Sequence, residues 1–287
     1  MLRLGEAEIL RVEEFSQALL IDYLHVEPEI VDRHRSWLAP NFLDSANTFS
    51  LFFQTWILRI DGAIVVVDPC NGNGRDRPVL TQFHQLQTPF IERFEATGVR
   101  PEDVDYVFCT HLHCDHCGWN THLRDGRWTP TFPNARYVFV RREAERWGER
   151  RHEFPYIDYN SGVYEESVLP IIEAGLADLV ADDHRILPQL AIEPAYGHTA
   201  GHSVLRLTTR GGELFFTGDV FHHPLQVLYP ELHLEGCDDL HAAVATRRHL
   251  REKIAALDAV MLPAHFPPPH GGRVRRDGDE FHFVALT

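Results

Sequence analysis

The densest chemistry in the chain lies between His111 and His116, where His111, His113, Asp115 and His116 stand in the pattern H-x-H-x-D-H. In an extended segment residues two apart point the same way. His111 and His113 can therefore grip one cation while the turn at Asp115-His116 offers two ligands to another. The chain holds 19 histidines, so a lone surface histidine is the ordinary explanation for most of them. That explanation does not cover three further ligand-type residues, each at the end of an apolar run: His198 in GHTAGH, Asp219 in FTGD and His265 in LPAH.

These residues need elements to position them. Phe52 to Val67 reads as two strands around an Asp61-Gly62 turn, the second being the run AIVVV that ends at Asp68-Pro69. CNGNG follows without the Lys-Ser/Thr of a P-loop and is expected to be a strand-to-helix turn. Thr88-Pro89 opens a helix with Phe90 and Phe94 on one face and Gly98 at its end. VDYVFCT is a buried strand running directly into HLHCDHCGWN, so the polar residues occupy a loop at a strand's C-terminal end, where α/β proteins place their chemistry. A strand at Arg136 to Val140, a helix from Arg141 and a loop-rich segment from His152 to Pro170 come next; that segment carries Phe154, Tyr156, Tyr159 and Tyr164. LAIEPAY, SVLRLTT and ELFFTGD read as strands. Leu240, Val244, Leu250, Ile254 and Leu257 mark an amphipathic helix before the strand AVMLPAH. With no Pro/Gly/Ser-rich linker, residues 1–287 are expected to form a single α/β domain of two mixed sheets with outer helices.

Composition narrows the function. Hydrophobic residues make up 44% of the chain, and no run of eighteen apolar residues indicates a membrane span. The start, MLRLGEAEILRVEEF, alternates apolar and charged residues, unlike a secretory signal, so a cytoplasmic location is expected. Five cysteines, an odd number, fit a reducing compartment better than a disulfide framework. Asp and Glu exceed Lys and Arg by 42 − 27 = 15, which opposes a broad polyanion-binding surface. The expected partner is a small-molecule substrate, neither nucleic acid nor membrane.

HLHCDH followed in order by His198, Asp219 and His265 resembles the metallo-β-lactamase superfamily over most of the chain. The resemblance implies an αββα sandwich. It also implies a division of ligands: His111, His113 and His198 for one metal, Asp115, His116 and His265 for the other, with Asp219 bridging. Imidazole and carboxylate donors match two divalent ions, zinc first, with manganese, iron or cobalt able to use the same set. Two cations sharing an oxygen ligand supply hydroxide from bound water at neutral pH and polarise the oxygen under attack, so the expected reaction is hydrolysis by metal-bound hydroxide. No GxSxG nucleophile motif is present, and Cys114 lacks an unassigned His/Asn partner motif, so it reads as a spacer.

THLHCDHCGWN and TGDVFHHPLQV are similar to the branch holding acyl-homoserine lactonases and methyl-parathion-type organophosphate hydrolases. Small esters or lactones are the expected substrates, with phosphotriesters as the alternative. Lactonases of that branch carry a tyrosine three residues after the bridging aspartate; here the position is His222. Catalytic roles are expected of Asp115 and His222, the latter orienting substrate or donating to the leaving group, against a position that only supports Asp219. Trp119, His222 and His223 are expected to wall the substrate pocket, although Trp119 also reads as ordinary core. The Tyr-rich segment is open to being a lid, a surface excursion or an oligomer contact, which leaves a homodimer as an option. A ribonuclease Z-like nuclease, a mononuclear persulfide-dioxygenase-like iron enzyme and a non-enzymatic metal protein are the competing readings. The acidic balance weighs against the first. Metal analysis separates the second. Seven ligands, against the four that close a structural zinc site, weigh against the third.

Overall fold

A computed structural model describes residues 1–154 and 157–287. Two seven-stranded sheets face each other. The first is ordered Leu2–Leu4, Ala7–Leu20, Thr48–Ile60, Ala63–Val67, Tyr106–Phe108, Arg136–Val140, Ala177–Val180. The second runs Arg185–Leu187, Leu190–Pro194, Ser203–Thr209, Gly212–Gly218, Val260–Pro263, Gly272–Asp277, Glu280–Ala285. Both are mixed. The last four strands of the first sheet are parallel, as are Gly212–Gly218 and Val260–Pro263 in the second.

AIVVV is buried on both faces, which is why it reads as a continuous apolar run instead of an alternating one. Val65 and Val67 join Phe108, Val138 and Val140 against Leu205, Leu207, Leu214, Phe216, Val260 and Leu262 of the opposite sheet. Val66, Val107, Tyr137 and Phe139 point the other way and belong to an outer core with Phe90 and Phe94. The expected helix over Phe90 is short, Phe90–Glu95, with both phenylalanines fully buried. Asp61 and Gly62 take φ of 51° and 80° in the hairpin that joins Thr48–Ile60 to Ala63–Val67, the doubly left-handed turn that such sequences favour.

The helix Leu240–Ala256 is rotated from the expected stripe. Ala243, Arg247, Leu250 and Ile254 are buried, while Leu240 and Leu257 lie at its exposed margin. Arg247 takes the inward position because its guanidinium donates to the carbonyls of Val220 (2.8 Å), Leu232 (2.8 Å) and Pro230, holding the loop behind Asp219. Within the segment from His152 to Pro170, expected to be loop, Val163–Ser167 forms a helix, and Leu169–Glu173 follows it directly. Tyr156 of that segment lies outside the described residues. The long N-terminal strand, the helix Pro28–Leu38 and the C-terminal hairpin were not legible as elements.

A register shift between Glu13 and Phe15 interrupts the long N-terminal strand's pairing with Thr48–Ile60. Bulges of this kind re-aim a side chain. Glu14 is thereby buried at 1% exposure, where its carboxylate accepts from Asn71 N (2.8 Å), Thr88 Oγ1 (3.2 Å) and Trp119 Nε1 (2.6 Å). Among the described residues no helix is long and apolar enough to cross a membrane.

Candidate metal centre

Each of the seven ligand-type residues leaves the end of a strand, and the seven converge between the C-terminal edges of the two sheets. Tyr106–Phe108 delivers the loop from His111, and one helical turn, Cys114–Cys117, carries Asp115 and His116, the His116 ring lying 4.0 Å from that of His111. The loop is pinned at its far end, where Gly118 N and Trp119 N donate to Cys70 O (2.7 Å) and Pro69 O (2.8 Å). A Cβ on Gly118 would lie 1.7 Å from Asn71 O, so only glycine permits that approach. Asp219 follows Gly218, whose φ is +49°; a side chain there would meet Thr110 Oγ1 at 2.5 Å. His265 follows Val260–Pro263 and reaches back to the first sheet, its Nδ1 3.0 Å from Phe52 O.

Two clusters result. His113 Nδ1 lies 3.0 Å from both His111 Nε2 and His198 Nε2, and Asp219 Oδ2 lies 3.3 Å from His198 Nε2 and 3.8 Å from His111 Nε2. On the other side, His116 Nε2 and His265 Nε2 are 3.3 Å apart, Asp115 Oδ2 is 3.6 and 3.5 Å from them, and Asp219 Oδ1 is 3.3 and 3.1 Å from them. The structure thus brings together all seven residues singled out in the sequence, with one oxygen of Asp219 facing each cluster.

The donor set fits two divalent cations. Ring nitrogens about 2.0–2.1 Å from one tetrahedral ion stand roughly 3.3 Å apart, close to the separations here. Asp219 Oδ1 is buried and accepts no hydrogen bond despite two imidazole nitrogens within 3.3 Å, the condition of a carboxylate oxygen waiting for a positive charge. Every outward ring nitrogen has a neighbour: Thr110 Oγ1 (3.1 Å) for His111, Tyr159 OH (3.4 Å) for His113, Asp68 Oδ2 (3.1 Å) for His116, Cys237 Sγ (3.7 Å) for His198 and Phe52 O for His265. Such partners fix which nitrogen faces a metal.

The histidines of the two clusters divide in their titration. Burial, then neighbouring imidazoles, drives His111 and His113 well below the ordinary histidine value. For His198 burial opposes protonation but the hydrogen bonds to Asp219 and Cys237 win, raising it to about 10. Burial works against ionisation of Asp219 too, yet His116, His265 and His222 hold it well below the usual carboxylate range. The thiol of Cys114 is pushed far up, first by burial and then by Asp115, which makes it a poor nucleophile.

His222 Nε2 lies 3.1 Å from Asp219 Oδ2, its ring is parallel to that of His265 at 5.7 Å, and its backbone N–H donates to Gln226 Oε1 (2.6 Å). Burial outweighs the nearby Asp219 and lowers its pKa to about 4. His222 borders a cavity of about 260 Å³ together with Asp115, His198, Asp219 and Tyr159 at the polar end; Leu19, Leu51, Phe53, Phe83 and Leu234 form much of its apolar wall.

Two pocket expectations are corrected. Trp119 does not border this cavity: it stacks on Phe90 at 5.0 Å, and its indole N–H is taken by Glu14. His223 is fully buried on the other side of its loop, with Nε2 2.8 Å from Phe42 O and Nδ1 accepting from Leu225 N (3.2 Å). Adjacent residues on this turn diverge, so the pair HH could not both face the ligand clusters. Sequence reasoning missed Asp68, Thr110 and Cys237 and assigned no role to Tyr159. Asp68 left one signal, a carboxylate ending a buried strand beside the strand that feeds the metal loop; Cys237 left none.

Glu143 was missed as well. Fully buried in the helix Arg141–Trp147, it accepts from Leu112 N (2.9 Å) and Trp147 Nε1 (2.7 Å) on one oxygen, and from Thr199 Oγ1 (2.7 Å) and Gly201 N (2.9 Å) on the other. One carboxylate thereby fastens the loop of His111 and His113 to the loop of His198.

The sequence model of the metallo-beta-lactamase superfamily matches residues 54–279. The chain belongs to that superfamily. Among curated proteins, an N-acyl homoserine lactonase of Bacillus sp is 28% identical over 147 residues, 51% of this chain and 48% of the relative. One of Bacillus cereus is 26% identical over the same span. The chain thus spans about half the length of the curated relatives it matches. Among solved structures, the hydrolase AbOPH in the beta lactamase superfamily superposes with a TM-score of 0.82 at 21% identity, covering 100% of this chain and 96% of that one. AidC, a dizinc quorum-quenching lactonase, gives 0.78 at 18%, with the same coverage. These likenesses establish the metallo-beta-lactamase fold, the expected pair of mixed sheets with outer helices.

Proposed function

We propose that this protein is a metal-dependent hydrolase of small-molecule esters or lactones. The observation that carries the reading is Asp219, one oxygen facing each of two imidazole-carboxylate clusters at the floor of a largely apolar cavity. His111, His113, His198 and Asp219 would hold one divalent ion, and Asp115, His116, His265 and Asp219 the other, zinc being the best match to the donors. When bound, the pair supplies an acidified water and a Lewis acid for the substrate oxygen.

The rest falls to the chain. Leu19, Leu51, Phe53, Phe83 and Leu234 receive an acyl or alkyl portion and exclude water from it. His222, neutral at physiological pH, donates from Nε2 to Asp219, steadying that carboxylate while its ring borders the cavity. Tyr159 OH, beside His113 at the cavity wall, is the phenolic donor on this face. Asp115, at the cavity edge, would help hold its metal, and its carboxylate would take the proton of the attacking water and return it to the leaving oxygen as the ester bond breaks. The curated relatives, matched over about half of their length, are N-acyl homoserine lactonases, which supports the ester or lactone class. Phosphotriesters are the second reading, favoured by His222 standing where the lactonases carry tyrosine.

The test is a panel of lactones, aryl esters and phosphotriesters run beside metal analysis. Hydrolysis of at least one lactone or ester, abolished by chelation and restored by zinc, is expected; turnover that survives confirmed metal loss would refute the reading.

A further inference from the structure

A second group of ligand-type side chains lies outside the buried centre. His25 ends the turn Ile21–Leu24 in the left-handed conformation, with φ of 52°. The backbone N–H of His233 donates to Leu24 O at 3.3 Å, which sets two distant chain segments side by side. The two imidazoles stack with centroids 4.6 Å apart and planes 21° from parallel, and His25 Nε2 is 3.1 Å from Glu235 Oε1. His233 Nδ1 lies 3.2 Å from Glu231 O. A carbonyl can only accept, so Nδ1 carries the proton and the lone pair of Nε2 is free. One ligand atom from each of His25, His233 and Glu235 lies within 4.8 Å of the others.

An exposed ion pair would account for His25 and Glu235 and is worth little. It does not account for a second imidazole whose free Nε2 comes within reach of the other two ligand atoms; the exposed rings need only splay from their stack to face one ion. We propose that His25, His233 and Glu235 form a third, surface site for a zinc-like divalent cation at the rim of the cavity. Two imidazoles and one carboxylate suit zinc, with nickel or copper as competitors, and leave the remaining coordination positions to water. Tyr23, Leu234 and Glu235 border the cavity, so an ion at this site ties two of its edges together and narrows the entrance. Excess divalent metal therefore inhibits, a consequence that rests on the hydrolase reading; the binding itself does not.

The decisive experiment titrates zinc into the full chain with its buried centre already filled, against a chromophoric chelator. Wild type and the double variant His25→Asn/His233→Asn are compared. Wild type is expected to take up one ion per chain more than the double variant, and the extra zinc raises Tm in wild type alone. Equal uptake by the two proteins overturns the site, whether or not any hydrolysis is found. Glu235→Gln, at a side chain 84% exposed, serves if the double variant fails to fold; it too must lose the additional ion. In the hydrolysis assay, excess zinc slows wild type and spares the double variant. Equal slowing of both would remove the entrance-narrowing role.

Discussion

Glu143→Gln isolates what fastens the two ligand loops. The wild-type carboxylate receives two donors on each oxygen, all from groups without access to water. Glutamine retains one oxygen, so the better arrangement keeps Leu112 N and Trp147 Nε1 as donors to it. The amide NH₂ then faces Thr199, whose hydroxyl can rotate to accept, and Gly201 N–H, which cannot. One buried backbone donor is left unsatisfied, costing about 1–3 kcal/mol, and the loss of a charged acceptor for the others adds roughly 1 kcal/mol. A total of about 2–4 kcal/mol is a large share of a typical stability of 5–15 kcal/mol. Urea unfolding followed by tryptophan fluorescence, with chelator present, reads the fold without metal; chelator competition on folded protein reads the site. Both the unfolding midpoint and the affinity of the ion held by His111, His113 and His198 should fall. A variant within about 0.5 kcal/mol of wild type, binding zinc as tightly, would show that the four hydrogen bonds do not hold the loops.

Asp219→Ala removes the oxygen pair that faces both clusters, so metal content should drop from the proposed two ions per chain to one or fewer and hydrolysis should fall with it; full occupancy with normal turnover defeats the bridging assignment. His222→Ala withdraws a hydrogen bond from Asp219 and a polar group from the cavity. Resistance to chelator and kcat/KM should each decline by roughly ten- to a hundred-fold, and a fully metallated variant turning over at the wild-type rate would remove His222 from the site. His223, whose folded pKa burial lowers from 6.5 to about 4, stays neutral while the unfolded chain takes up a proton, so its contribution is complete above pH 6.5 and is lost as pH falls from 6.5 to 4. That loss is roughly 3 kcal/mol. Metal-free His223→Gln should lack this part of the acid destabilisation, and identical pH profiles for the two proteins would refute it.

The candidate site and the fold class were both legible in the sequence. Metal-type ligands must be particular residue types, and four of them fall within six positions, so their signal survives without knowledge of packing. The central strands were legible because burial on both faces forces continuous apolar runs such as AIVVV. Ala7–Leu20 was not: the alternation at its start was used only to argue against a secretory signal, and it lapses at Glu14, a charged residue that the bulge turns inward. Arg247 misled in the same way: a charged residue turned inward to cap three carbonyls shifts the apparent stripe of its helix. Trp119 and His223 show the opposite error. Their neighbours in sequence face the ligand clusters, but direction within a tight turn is set by backbone dihedrals that residue types do not report.

Each cluster draws two of its ligands from each sheet, Asp219 counting in both. His111 and His113 extend from the first sheet and meet His198 and Asp219 from the second; Asp115 and His116 extend from the first and meet His265 and Asp219 from the second. Neither half of the chain carries a four-ligand set of its own, so any ion in either cluster is a cross-link between halves. Its release would act as an early gauge of slippage between them, sensing a loosened Phe108 or Leu205 in the shared core before any strand is lost.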